Sequence, residues 1–158
     1  MDSTDLATFI ATHTVAAELI HLADHTPTVE TAAQALNVSV EQIVKSILFL
    51  AEGSPLLVIA NGLRRIDYRR LSEYLHLSRR QIKMAEAAQV FEIAGYPIGA
   101  MPPFGHQTRL RTLIDHHVFD QPEIFAGGGA INALLRITPA EIARVTGGVK
   151  VEITQTSR

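Results

Sequence analysis

Lys45-Ser46-Ile47-Leu48-Phe49-Leu50-Ala51, then Glu52-Gly53-Ser54-Pro55, then Leu56-Leu57-Val58-Ile59-Ala60: this stretch decides the fold. Two apolar runs joined by a short loop that contains glycine read as a β-hairpin at the centre of the chain. On the N-terminal side, Leu6, Phe9 and Ile10 mark a short helix over 4–12, Ala17–Ala23 reads as a strand, and 28–37 favours a helix that stops at Asn37. Ser39 and Gln42 have the spacing of a capping box, in which each side chain satisfies the other residue's free amide at a helix start. On the C-terminal side, Asp67–Leu75 reads as a helix, Ile82–Met84 as a strand, and Glu86–Ala94 as a helix ended by Gly95. Leu113–Ile114, Glu123–Ala126 and Leu134–Ile137 are further strand candidates. Thr138-Pro139-Ala140-Glu141 is the clearest helix start: a capping hydroxyl, proline at the first position, an acid at the third. Gly147-Gly148 ends that helix and Val149–Ile153 returns as a strand. Helices and strands interleave around a hairpin, so the expected class is α/β, with a mixed, mainly antiparallel sheet flanked by helices.

The 158 residues fit one compact domain, 1–158, without repeat or linker. With 47% apolar and 19% charged residues the chain can bury a core and is no disordered polyelectrolyte. Cysteine is absent, which removes disulfides, thiolate metal sites and a cysteine nucleophile. The longest apolar runs, 47–51 and 56–60, are far short of the ~20 residues of a membrane span, and the start Met1-Asp2-Ser3-Thr4-Asp5 is acidic where a signal peptide is basic. The expectation is a soluble cytoplasmic protein with no membrane partner.

Net charge is −2, yet its distribution is uneven. Residues 1–44 carry six acids and no Lys or Arg, whereas 64–83 hold Arg64, Arg65, Arg69, Arg70, Arg79, Arg80 and Lys83 against only Asp67 and Glu73. Such a stripe is either the footprint of a phosphate backbone or a solvated face that keeps the chain soluble.

Three stretches have the composition of a site. Lys45 stands at the mouth of an apolar strand: either a fixed cation for an anionic ligand, or a lysine snorkelling off a strand end. Residues 95–105, Gly-Tyr-Pro-Ile-Gly-Ala-Met-Pro-Pro-Phe-Gly, hold three glycines and three prolines, more than a plain connection needs, and suit the wall of a pocket. Gly127-Gly128-Gly129 follows a strand and could turn amides toward a developing oxyanion. Metal and triad readings are poor: adjacent residues in Asp115-His116-His117 point to opposite faces if extended, and neither His-Glu-x-x-His nor Gly-x-Ser-x-Gly occurs. No cofactor is expected.

Taken together, Ile43-Val44-Lys45-Ser46-Ile47-Leu48-Phe49, the spacing Gly95-x-x-x-Gly99-x-x-x-Pro103-x-Gly105, then Asp115, then Gly127-Gly128 resemble the YbaK family over roughly residues 15–153. That family includes the editing insertion domain of bacterial prolyl-tRNA synthetase and its free-standing relatives. The resemblance implies a curled mixed sheet and hydrolysis of mischarged aminoacyl-tRNA in trans, typically tRNA for proline carrying alanine, cysteine or a similar small amino acid. It implies that Lys45 engages the 3′-terminal nucleotide. Ser46 stands where the family usually has Thr or Asn, and Pro102 where a small polar residue is common.

On this basis the expected catalytic residues are Lys45, with Gly127 and Gly128 as amide donors. The expected substrate-binding residues are Ser46, Gly95, Gly99, Met101, Pro102, Pro103 and Asp115. The basic stripe would take the acceptor stem. Aminoacyl-tRNA is the implied partner, with prolyl-tRNA synthetase as a second, in a monomer or homodimer. The competing readings are a module of the same fold that senses aminoacyl-tRNA or amino acids without turnover, and an RNA-binding fold that has lost its site.

Overall fold

The structure is a computed structural model that describes residues 1–23, 25–26 and 28–156. Among the described residues, five helices, α1 (Ser3–Thr12), α2 (Val29–Leu36), α3 (Tyr68–Leu75), α4 (Ala87–Ala94) and α5 (Pro139–Thr146), are interspersed with eight strands. The strands are β1 (Ala17–His21), β2 (Val44–Ala51), β3 (Ser54–Asn61), β4 (Ile82–Met84), β5 (Arg111–Asp115), β6 (Ile124–Gly127), β7 (Ala133–Ile137) and β8 (Val149–Val151). They form a three-stranded sheet of order β1-β7-β6 and a five-stranded sheet of order β4-β2-β3-β5-β8. A parallel bridge between Ile43 and Phe125 ties the first sheet to the start of β2.

The hairpin is as the sequence suggests, with one refinement. Its loop is only Glu52-Gly53, both at positive φ (51° and 79°), the conformation that matches the twist of paired strands. Pro55, expected in the turn, lies inside β3 opposite Leu50. Its missing N–H does no harm there, because the neighbouring strand β5 joins β3 only from Leu56 onward. β3 runs between β2 and β5 and is buried on both faces, which explains its unbroken apolar run.

Alternation along the strands sorts the interior. Leu48, Leu57, Ile59 and Ile114 face the three-stranded sheet and the inner faces of α1, α4 and α5. Phe49, Leu56, Val58 and Leu113 face the other way and are covered by Leu71 of α3 with Ile66, Ile82 and Ile153. α2 lays Ala32 and Ala33 against Phe125 and Ile43 on the outside of the small sheet. Helix ends follow local chemistry: Asp67 accepts from the amides of Arg69 and Arg70, Thr138 accepts from that of Glu141, and α4 and α5 stop at left-handed Gly95 and Gly147. The pairings β3–β5 and β5–β8 are parallel, so the large sheet is mixed. The Ser39 box caps only a 3₁₀ turn, Val40–Gln42, before β2 begins. No helix among the described residues is long and apolar enough to cross a membrane.

Candidate active site

The site grows from a gap in the sheet. On one side β2 is paired with β3 along its whole length. On the other it touches β6 at Ile43 and β4 only from Phe49 onward, so among the described residues no strand is paired with Lys45–Leu48 on that side. The amide of Gly62 donates to the carbonyl of Ile43 at 2.9 Å. By the alternation of an antiparallel ladder, the N–H and C=O of Ser46 therefore point away from β3, into the gap. Past the Ile43–Phe125 bridge, two further residues along each strand bring Gly127 level with Lys45.

A cleft of about 300 Å³ occupies this gap. Its lining falls on two sides of the sheet. Lys45 and Ile47, with Met84 opposite Phe49, lie on one side. Ser46, Leu48, Ala85, Val90 and Met101 lie on the other and belong to the main core, with Ile98 exposed at the rim. The Ala85 amide donates to the Leu48 carbonyl at 2.9 Å, pinning the chain where β4 gives way to α4.

Lys45 is half-buried, and burial alone pushes its pKa below the ordinary lysine value. Among the described residues no hydrogen bond or ion pair engages its ammonium. A desolvated cation without an internal counter-charge is poised for an external anion: at ~4 Å and an effective dielectric of ~20 the attraction is about 4 kcal/mol before desolvation. The Ser46 hydroxyl is buried and has no hydrogen-bond partner among the described residues.

The 95–105 segment contributes only its middle to the cleft. Gly95 serves as the left-handed end of α4 (φ 87°), where a Cβ would meet Met1 Sδ at 2.7 Å. Ile98 and Met101 face the cleft, while Gly99 is exposed with no atom within 4 Å of where a Cβ would stand. Pro102 and Pro103, expected as substrate contacts, are buried and lie behind the residues that line the cleft. The Pro102 carbonyl accepts from His106 Nε2 at 2.7 Å, and Pro103 borders a separate small cavity with Phe9 and Phe104. Both stiffen the wall from behind.

The triple glycine is a seat for that wall. The Gly129 amide donates to the Ala100 carbonyl at 2.9 Å, and a Cβ on Gly127 would lie 2.2 Å from the Met101 carbonyl oxygen. The Gly128 amide, expected as a donor to an oxyanion, donates to the Ala133 carbonyl at 3.0 Å in this structure. The same alternation puts the Gly127 N–H on the β2-facing edge of β6.

Asp115, expected to bind substrate, is fully buried, and its carboxylate accepts from the amides of Ile153 (3.0 Å) and His117 (3.2 Å) and from the Thr154 hydroxyl (3.1 Å). It fastens the C-terminal segment to β5. Asp115→Asn should lower stability by about 2–4 kcal/mol through lost charge-assisted bonds. Denaturant unfolding of the Asp115→Asn variant would show this loss.

The basic stripe divides. Arg70 is paired with Glu152 and Asp67, Arg79 lies over the Tyr68 ring at 3.6 Å and donates to the Ile82 carbonyl, and Arg64 donates to the Gln155 carbonyl. Arg65, Arg80 and Lys83 point outward, as does Arg69 with only an exposed contact to Glu73. Lys83 immediately precedes Met84 at the cleft. His117 is paired with Asp120, and His116 lies 4.0 Å from Glu152.

Ile47, Leu48, Met84, Ala85, Val90 and Ile98 are cleft residues that sequence reasoning did not single out. Apolar residues at strand and helix spacing carry the same signature whether they face a core or a cavity. Only the gap in β2 pairing tells them apart.

Comparison with known proteins bears on the family and the fold. Residues 23–145 match the family model described as the aminoacyl-tRNA editing domain. The chain is 32% identical over 101 residues to a proline–tRNA ligase of Thermosipho africanus, covering 64% of this chain but 18% of that enzyme. It is 30% identical over 117 residues to the protein YwhH of Bacillus subtilis, covering 73% of each. A crystal structure of a candidate trans-editing enzyme for prolyl-tRNA synthetase superposes with a TM-score of 0.88 at 30% identity, covering 97% of this chain and 96% of that one. The chain belongs to the aminoacyl-tRNA editing domain family.

Proposed function

We propose that the chain is an aminoacyl-tRNA deacylase that acts in trans to remove a small amino acid from mischarged tRNA, with tRNA for proline the first candidate. One observation carries this reading: a half-buried, unpaired lysine in a cleft opened by the gap in β2 pairing and walled by residues 98–101. Lys45 takes the phosphate of the terminal adenosine. The ester then lies across the gap, with the acyl carbonyl within reach of the Ser46 and Gly127 amides, which face it from opposite edges. These two replace the Gly127–Gly128 pair expected at first.

An aminoacyl ester is intrinsically labile, since its α-ammonium withdraws electrons and the ribose offers a neighbouring hydroxyl. Positioning, water admission and amide donors suffice, and no built-in nucleophile is needed. The outward Arg65, Arg69, Arg80 and Lys83 suit an acceptor stem, with Lys83 leading to the cleft. A cytoplasmic setting and an association with prolyl-tRNA synthetase follow from the same reading. The test is a panel of mischarged tRNAs at catalytic enzyme concentration. Multiple-turnover release of one or a few small amino acids supports the reading, and tight binding without release replaces it with a sensing module.

A further inference from the structure

The wall of the cleft is short of backbone donors. Pro102 and Pro103 carry no N–H, so the chain that leaves Met101 cannot be fastened through amides at these two positions. It is held by its carbonyls instead. That of Ala100 accepts from the Gly129 amide at 2.9 Å, that of Met101 lies against Gly127, and that of Pro102 accepts from His106 Nε2 at 2.7 Å. The first two contacts are backbone on backbone. Among the described residues, His106 is the one side chain hydrogen-bonded to this run of carbonyls.

Its placement follows from the chain around it. Left-handed Gly105 (φ 76°) turns the backbone so that His106 comes back to Pro102, four residues earlier. The fully buried Tyr96 ring stands edge-on to the imidazole, with centroids 6.2 Å apart at 85°, and its hydroxyl donates to the Gly105 carbonyl at 3.4 Å. Burial holds the His106 pKa below the usual histidine value, so at neutral pH the ring is uncharged and has one N–H. A carbonyl only accepts, which puts that N–H on Nε2. Packing around the contact is incomplete, because Pro103 and His106 border the cavity of about 90 Å³ with Phe9 and Phe104. Pro102 therefore has room to shift, and the hydrogen bond decides where the wall stands.

We propose that His106 is a positioning residue whose Nε2–H, bonded to the Pro102 carbonyl, holds the 98–101 wall where it closes the substrate cleft. The inference rests on the deacylase reading and adds to it a residue that acts through the wall and not on the substrate. A wall in place for only part of the time weakens apparent binding by that fraction. Loss of one hydrogen bond shifts such a balance by about 3–10-fold, so His106→Leu should raise KM by that factor and keep kcat within about 2-fold. His106→Gln, which presents an amide N–H close to the position of Nε2, should return KM to within about 2-fold of wild type.

The test is steady-state kinetics of the wild type and both variants on one mischarged tRNA that the wild type deacylates, with a thermal melt of each. The KM rise in His106→Leu and its rescue in His106→Gln support the proposal. A folded His106→Leu that melts lower but keeps the wild-type KM would overturn it, since the bond would then serve stability alone. So would an equal rise in both variants, which would assign the effect to the ring and not to the donated bond. Should His106→Leu not fold, His106→Asn decides: its amide falls short of the carbonyl, so a KM above that of His106→Gln supports the proposal and an equal KM overturns it. A wild type that releases no amino acid from any mischarged tRNA removes the deacylase reading, and the inference with it.

Discussion

Lys45→Ala is expected to reduce deacylation by about 100-fold or more while leaving the melting temperature unchanged or slightly higher. The two halves of this result come from one fact. The ammonium is half-buried and without an internal partner, so folding pays for its desolvation and receives no ion pair in return. Removing it cannot unbalance a network, because it belongs to none. Once an anion is bound, the same desolvation strengthens the attraction, which makes the lysine valuable to the complex and not to the free protein. Single-turnover kinetics and a thermal melt of the same preparation check both halves. A lysine that snorkelled into water would give neither, since its loss would leave both rate and stability close to wild type.

Gly127→Ala is expected to have the second largest effect, and of the opposite kind: loss of stability together with loss of activity. A Cβ there would stand 2.2 Å from the Met101 carbonyl oxygen, an atom of the backbone that cannot rotate aside. Either β6 or the 98–101 wall must move. Overpacking of this sort costs about 1–3 kcal/mol, which for a chain of this size lowers the melting temperature by roughly 3–10 °C. The displaced wall carries Met101 and Ile98 away from the cleft, so the surviving folded enzyme should show a raised KM. Differential scanning calorimetry with steady-state kinetics measures the pair of effects. An alanine variant with wild-type melting and KM would show that the wall does not depend on this contact.

What could be read in advance was the local chemistry. The Glu52-Gly53 turn, the Thr138-Pro139 helix start and the glycine ends of α4 and α5 each satisfy backbone groups within a few residues, and each is visible in a short window. Lys45 was conspicuous because a charge at the head of an apolar strand is rare. Less accessible was everything that depends on which strand lies beside which. The parallel pairing of β3 with β5 spans α3, β4 and α4 and has no local signature. The gap along β2 is a property of two other strands diverging. Asp115 shows the same limit: nothing near it in sequence indicates that Ile153 and Thr154 return to its carboxylate. Gly128 was expected to offer its amide outward, but the tight turn into β7 takes that amide for Ala133. Glycine at 127–128 is required for close backbone approach, a purpose that a run of glycines does not distinguish from anion binding.

The central claim is that the Lys45 ammonium receives the terminal phosphate at the gap in β2, and side-chain NMR of that amine tests it most directly. In the free protein its pKa lies below the ordinary lysine value, so protonation of this group disfavours folding in full below the folded pKa, and the penalty fades as pH rises from there to the ordinary lysine value. A phosphate in contact favours the charged form and reverses the shift. Titration with a non-hydrolysable 3′-aminoacylamino-adenosine 5′-phosphate should raise the pKa of Lys45, with affinity falling as pH passes the free-state value. Saturated binding that leaves the Lys45 pKa where it stands in the free protein would contradict the claim.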